Sequence, residues 1–399
     1  MSGILEDALI YSQWSGCPID VLFHIFKYME PESLAKCLHV NRAWRNACIY
    51  FCDHYNLWSG LVRNCLRSKG EQYRMRSTQN QGNLFLTSQL WNEVCSTERV
   101  VNKHFETLVV KSFNVYRDQL FVICENEVKI FDTETLSLQK ILDIECENYQ
   151  ETKYLIVILY EESPKWRLHV KKRINCSCPR SIKSITRNLL HAKLYSVSET
   201  NCCLIDIHGN LWAFRDTCLG HVRFSGRYYG PIVRCITIHI TKIFLFIDNG
   251  NVLFANSDTM QLLTLFHVNV PSEKRSIATI AFDRNTLVYE TEKGIKPKMF
   301  EDKRHGMKVF ALPDVSVATL HGDVLLVGTH SGIVNVYFTK SMSANNCIEP
   351  EPKFSLLLSG TNSNSIRQIS VYEGYLEHWI FVLVENKMSL FKIKYPGFS

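Results

Sequence analysis

The feature that most constrains the fold of this 399-residue chain is a unit that returns along its last three quarters. Each copy is an apolar strand, a turn marked by Gly or Asn, and a second strand carrying aromatics. Copies fall at 120–132, 204–214, 245–254, 287–295, 325–337 and 380–391, with a weaker one at 155–170 that turns at Ser163-Pro164. Asn and Gly suit these turns because tight hairpins need positive φ. The markers Asn126, Pro164, Gly209, Gly250, Gly294, Gly332 and Asn386 lie about 43 residues apart on average, the length of a small four-stranded sheet with its connections. An array of such sheets exposes strand edges at its two ends unless the ends meet. The run at 387–395 reads as a third strand, so the last unit is expected to borrow its outer strand from 83–105. Leu84-Phe85-Leu86-Thr87 and Val100-Val101 are the candidates.

Composition narrows the class. Apolar residues make up 46% of the chain and charged residues 21%, ordinary for a folded protein with a large core. The net charge of +6, from 45 basic and 39 acidic residues, is too mild to argue for nucleic acid or a membrane surface. No apolar run reaches the roughly 18 to 20 residues of a membrane-spanning helix, and the first residues lack the basic and apolar regions of a signal peptide. The 15 cysteines are odd in number and unevenly spaced, which fits buried free thiols in a reducing compartment, the cytoplasm or nucleus.

The first sixty residues follow a different period. Ile19, Leu22, Phe23, Phe26 and Met29 recur every three or four positions, giving one apolar helix face. Pro18 suits a first helical turn, where its missing N–H has no partner in any case. Glu30-Pro31-Glu32 ends this helix and starts another, and a third is expected from Arg42 to Cys52, with Trp44 and Ala47 facing inward. So short a bundle is expected to leave Leu22, Ile25, Phe26 and Leu34 partly uncovered.

The stretch from Cys17-Pro18 through Leu34, Val40-Asn41-Arg42-Ala43-Trp44 and Leu57-Trp58 resembles the F-box. Cys17 replaces the usual Leu before the Pro, and Asn41 the usual Cys after the Val. The resemblance implies that Pro18, Ile19, Leu22, Ile25, Phe26, Leu34, Val40 and Trp44 contact a Skp-type adaptor, and through it a cullin. The repeat array looks like a divergent WD-repeat propeller. Phe131-Asp132 stands where Trp-Asp falls in that family, and Gly220-His221 echoes its Gly-His mark. A β-sandwich or a helical-repeat tail is the alternative. The expected fold class is therefore multidomain, α then all-β. A short three-helix F-box at 12–60 and a basic helical linker at 61–105 precede a seven-bladed β-propeller at 106–399.

Four segments share an apolar-basic-x-apolar pattern: Val110-Lys111-Ser112-Phe113, Ile182-Lys183-Ser184-Ile185, Val233-Arg234-Cys235-Ile236 and Ile366-Arg367-Gln368-Ile369. In phosphodegron-reading F-box/WD-repeat proteins an Arg in a similar context lies at the mouth of the central channel. Lys111, Lys183, Arg234 and Arg367 are therefore expected to meet a phosphorylated or acidic target, Arg through bidentate hydrogen bonds. The bland reading, that strand edges favour Lys and Arg for solubility, stands beside it.

No Gly-rich phosphate loop, His-Glu-x-x-His or nucleophile elbow occurs, and neither Cys176-x-Cys178 nor Cys202-Cys203 has partners at metal spacing. No cofactor, metal or catalytic residue is expected. The resemblance implies the non-catalytic substrate-recognition subunit of a Skp-cullin-F-box ubiquitin ligase. A propeller scaffold that assembles no ligase is the alternative, and a propeller enzyme a remoter one.

Overall fold

The computed structural model describes residues 17–30, 33–34, 37, 40–55, 57, 91, 97–100, 105, 107–152, 155–162, 165–172, 189–190, 192–198, 201–206, 209–215, 233–239, 242–247, 251–256, 262–267, 279–283, 286–291, 296–302, 307–321, 324–338, 349–358, 365–373 and 377–394. The chain divides into two compact units: residues 1–98 with 373–379 and 391–399, and residues 99–372 with 380–390. No described helix is long and apolar enough to cross a membrane.

In the first unit, helix α1 (Ile19–Phe26) begins at Pro18, whose carbonyl accepts from the N–H groups of Val21 and Leu22 at 3.0 and 3.2 Å. Helix α2 (Arg42–His54) is capped by Asn41, whose Oδ1 accepts from the Trp44 N–H at 2.9 Å. That bond serves one of the N–H groups that every helix start leaves unpaired. Asn41, the departure from the family pattern, thus has a capping role. Ser33, Leu34 and Cys37 are helical between the two. Leu22, Phe26, Leu34, Cys37, Ala47, Cys48, Phe51 and Cys52 form one buried cluster, with Trp44 and Leu57 packed against it. The Phe26 ring meets Trp44 and Phe51 edge-on, with centroids 5.9 and 5.6 Å apart. Such offset contacts add to the burial term because ring edges and faces carry opposite partial charge. Trp91 is also fully buried in this unit. Its indole N–H donates to Glu373 Oε1 at 2.6 Å and its ring stacks on His378.

The remaining described elements are strands. Strand β1 (Thr97–Val100) comes first, followed by a sheet of β2 (Ser112–Tyr116), β3 (Gln119–Ile123), β4 (Val128–Asp132) and β5 (Leu138–Leu142). A second sheet holds β6 (Asn148–Glu151), β7 (Leu155–Glu162), β8 (Lys165–Lys172) and β9 (Leu189–Leu190). A third holds β10 (Ala192–Val197), β11 (Asn201–Asp206) and β12 (Leu211–Arg215). The fourth is β13 (Val233–His239), β14 (Lys242–Ile247), β15 (Asn251–Asn256) and β16 (Leu262–His267). The fifth contains β17 (Thr279–Asp283), β18 (Thr286–Thr291), β19 (Lys298–Asp302) and β20 (Met307–Pro313). The sixth is β21 (Val315–His321), β22 (Val324–Thr329), β23 (Ile333–Phe338) and β24 (Phe354–Leu357). In the last sheet β25 (Ile366–Glu373), β26 (Glu377–Val384) and β27 (Lys387–Lys394) are joined at the edge by β1, giving the order β1-β27-β26-β25. Among the described residues this makes seven sheets. Second strands carry most of the core: β11 and β22 are buried along their whole length. Gly209 and Gly332 hold their turns at φ 77° and 81°, a region that L side chains rarely adopt.

One sheet departs from the simple hairpin repeat. In the fifth, β20 pairs parallel with β18, and β19 is pushed to the edge. The interior place goes to the more apolar strand: Val309, Phe310, Ala311 and Leu312 are all buried, whereas β19 reads Lys-Met-Phe-Glu-Asp.

Neighbouring sheets in the second unit are tied by short polar side chains of their first strands. Ser112 Oγ donates to the Glu147 carbonyl at 2.6 Å, Asn114 to the Tyr149 carbonyl at 2.6 Å, and Thr319 to the Ile369 carbonyl at 2.9 Å. Ser196 Oγ accepts from the Ile238 N–H at 3.1 Å. The Gln368 amide spans both backbone groups of Phe113: its Oε1 accepts from the N–H at 3.2 Å and its Nε2 donates to the carbonyl. The sixth and last sheets meet at Gly328, where an added Cβ would lie 2.8 Å from both Ile366 Cγ2 and Val317 Cγ1. Both neighbours are β-branched and stiff at χ1, so neither yields easily. Gly328→Ala is therefore expected to cost about 1–3 kcal/mol through overpacking, read as a lower urea midpoint at unchanged slope.

Candidate functional site

Two surfaces carry the residues singled out by sequence. On the helical unit, Pro18 and Ile19 are exposed, Ile25 and Trp44 are half-buried, and Val40 is 38% exposed. Leu22, Phe26 and Leu34 lie elsewhere: they are 2%, 1% and 4% exposed, inside the unit's own core. Short as it is, the bundle covers them, because Phe51, Cys48 and Trp44 of α2 close over α1. What stays outside is a stripe of which the sequence pattern singled out Pro18 and Ile25 but not Val21 and Tyr28. Val21 is 46% and Tyr28 78% exposed, and with Pro18 and Ile25 they recur at three- and four-residue steps along one side of α1. That spacing was legible from Pro18 onward. Tyr50, at 58% exposure, stacks flat on Phe23 with centroids 5.7 Å apart and forms a separate aromatic face.

Two core thiols of this unit, Cys37 and Cys48, are held neutral. Burial, with Cys52 nearby, pushes the Cys37 thiol up to about 11, and Cys37 Sγ lies 3.6 Å from Met29 Sδ. Cys48 is raised by its hydrogen bond with Cys52 and by burial, and it donates to the Leu34 carbonyl at 3.5 Å. Thiols shifted this way are poor nucleophiles.

The second group of residues belongs to the sheet ends where first strands begin and second-to-third strand turns lie. Lys111 sits there, but its charge is already met. Its Nζ donates to Glu147 Oε1 at 2.7 Å, and this bond, opposed by some desolvation and helped by Glu145 and Glu125, holds its pKa above the ordinary lysine value. Arg367 is exposed and spends Nη1 on the Glu385 carbonyl and Asn386 Oδ1, at 3.1 and 3.2 Å. The Val110 N–H bonds the Asn386 carbonyl at 2.9 Å, so the Asn386 turn links the starts of the first and last sheets. Lys183 lies outside the described residues, as does the whole 182–185 segment. Arg234 occupies a register shift between Val233 and Cys235 in β13. The same shift returns in three other first strands, at Ala192/Leu194, Thr279/Ala281 and Val315/Val317. Bulges re-aim a side chain, so this recurrence marks a repeated special position that no composition rule announces.

Other polar groups at the turns are structural. Asp206 accepts from the Asn210 N–H, from Asn210 Nδ2 and from the Trp212 indole at 2.8, 2.8 and 2.9 Å. Asp132 likewise binds the N–H groups of Glu134 and Thr135. Among the described residues no group of His, Cys, Asp and Glu could hold a metal ion.

Residues 14–64 match the family model described as F-box-like. No curated protein matches the chain. Solved structures to which it is similar include Hsv2 of Kluyveromyces lactis in two forms. The form with the complete loop 6CD is 9% identical, with a TM-score of 0.34, covering 68% of this chain and 77% of that one. The other is 11% identical at a TM-score of 0.34, covering 70% and 78%. The AfRom2 CNH domain is 9% identical at a TM-score of 0.48, covering 75% of this chain and all of that one.

The Cys37 shift has a pH consequence. Its thiol ionises in the unfolded chain near the ordinary value of 9.0 but in the folded chain only near 11. Stability from this site is present below about pH 9 and lost as pH climbs toward 11, because the unfolded state then releases the proton first. The stability gap between wild type and Cys37→Ala is expected to shrink between those limits in paired denaturation curves.

Proposed function

We propose that the chain is the substrate-recognition subunit of a Skp-cullin-F-box ubiquitin ligase. The helical unit binds the adaptor, the sheet array binds the protein to be ubiquitinated, and the transfer chemistry belongs to the partners. The observation that carries the reading is the F-box-like match over residues 14–64, on helices that present apolar side chains to solvent. F-box domains generally bind Skp-type adaptors. The contact is assigned to Pro18, Ile19, Val21, Ile25 and Tyr28 of the α1 side, with Val40 and the half-buried Trp44. Leu22, Phe26 and Leu34 support that surface from behind.

The array is read as a seven-bladed β-propeller, with β1 as the outer strand of the last blade. Three features support it: the return of the first-strand bulge, the sheet order β1-β27-β26-β25, and the Gln368 amide between last and first sheets. Target binding is assigned to the rim of first-strand starts. Arg367, which is exposed and engages Glu385 and Asn386 through Nη1, and Arg234 are its cations, with Lys183 beside them in the pattern. Lys111 contributes little, since Glu147 already neutralises it. The work is placed in the cytoplasm or nucleus, where thiols remain reduced.

Two tests separate surface from core. Val21→Asp with Ile25→Asp is expected to abolish recovery of adaptor and cullin in a pull-down while leaving the melting temperature within a few degrees. Leu22→Ala with Phe26→Ala is expected to lose the same partners by unfolding the unit, since each large-to-small core change costs about 2–5 kcal/mol. A wild-type chain that recovers no adaptor would leave a propeller scaffold without ligase function. For the target, Arg367→Ala is expected to deplete acidic proteins from the bound set and Lys111→Ala to leave them. Equal sets for wild type and Arg367→Ala would remove the acidic-target assignment.

A further inference from the structure

A cluster on the rim of the second unit has no part in the reading above. His330 sits in the turn between β22 and β23. Its Nε2 lies 3.4 Å from Glu290 Oε1 at the end of β18, and its Nδ1 lies 3.2 Å from Ser365 Oγ just before β25. Three consecutive sheets thus each supply one member of a carboxylate–imidazole–hydroxyl relay. The turn that carries the imidazole is braced on both sides. Thr329 Oγ1 accepts from the Ile333 N–H at 2.8 Å, Gly332 takes φ 81°, and Ser331 Oγ donates to Asp314 Oδ2 at 2.8 Å. The parallel β18–β20 pairing sets Glu290 level with Leu312, two residues before Asp314.

We propose that Ser365 is a nucleophile for acyl transfer from small, activated carboxylic esters, with His330 as its general base and Glu290 as the positioning residue. In the tautomer that carries its proton on Nε2, toward the Glu290 carboxylate 3.4 Å away, the imidazole presents a lone pair at Nδ1 to the Ser365 hydroxyl. Relays of this kind are defined by geometry and roles rather than chain order. Ser365 Oγ bonds to the ester carbonyl carbon as its proton passes to His330 Nδ1. The carbonyl–oxygen bond to the leaving alcohol then breaks, and the alcohol takes that proton. Water, deprotonated by the same nitrogen, hydrolyses the acyl-serine, returns the proton to Ser365 Oγ and releases the carboxylic acid. The His330 side chain is 49% exposed and that of Glu290 30%, so the site admits only substrates that need no deep pocket.

The full chain is treated with a fluorophosphonate probe and with p-nitrophenyl acetate, and adducts are mapped by mass spectrometry. The expected result is a single modified serine, Ser365, with ester turnover lost in Ser365→Ala. His330→Gln is expected to slow both reactions about 100-fold, the lower end of general-base assistance. Glu290→Gln is expected to lower the maximal rate while leaving KM unchanged. Absence of an adduct at Ser365, or adduct formation at an unchanged rate in His330→Gln, would overturn the proposal. Circular dichroism of each variant confirms that these surface changes leave the fold intact. Adaptor recovery is expected to be equal in all of them, so this site and the ligase reading stand or fall separately.

Discussion

The second unit depends on how neighbouring sheets are tied to one another, and the Gln368 amide shows the solution in one side chain. Its Oε1 and Nε2 take the N–H and carbonyl of Phe113, the pair of bonds another strand would make. A glutamine can do this because its amide carries the same donor and acceptor as a peptide unit. Ser112, Asn114, Ser196 and Thr319 tie other neighbours with one side chain each. Buried apolar surface supplies most of the driving force for stacking sheets, but it is non-directional. These polar ties give it direction, since a sheet that slips by one residue loses them and leaves buried donors unpaired.

The helical unit shows the same separation between what holds and what is offered. Its apolar residues at three- and four-residue steps divide into two sets by geometry, not by hydrophobicity. Leu22 and Phe26 point at α2 and vanish into the core, while Val21 and Tyr28, of similar apolar character, remain outside. An apolar side chain left in water is stable only because the core behind it is complete. The three thiols and Phe51 make it so.

Much of this was legible in the sequence, and what was not legible has physical causes. Turn markers at Gly209 and Gly332 read correctly because only a positive-φ residue suits those turns. The capping role of Asn41 was hidden by comparison with a family pattern that has Cys there, although Asn before a helix is a strong start signal by itself. Leu22 and Phe26 were assigned to a partner because periodicity identifies an apolar face but not its occupant. Trp91 gave no warning, since its partners Glu373 and His378 lie almost three hundred residues downstream. Lys111 fitted a cationic pattern; only the fold brings Glu147 to it.

The strand exchange in the fifth sheet is the point at which sequence reasoning could not reach the chemistry. A simple hairpin repeat would pair β18 with β19 and leave β20 outside. Burial favours the exchange: Val309, Phe310, Ala311 and Leu312 are all buried, whereas the sequence of β19 carries Lys298, Glu301 and Asp302 among its five residues. The exchange runs β20 alongside β18, so Glu290 and Asp314 arrive at one end of the sheet. Asp314 then braces the His330 turn through Ser331 while Glu290 faces the imidazole. The corresponding turn of the third sheet uses its carboxylate differently: Asp206 turns inward and is consumed by Asn210 and Trp212. The same place in the repeat is thus closed on itself in one sheet and open to its neighbours in another. A group is free to act there when its partners come from adjacent sheets rather than from its own turn.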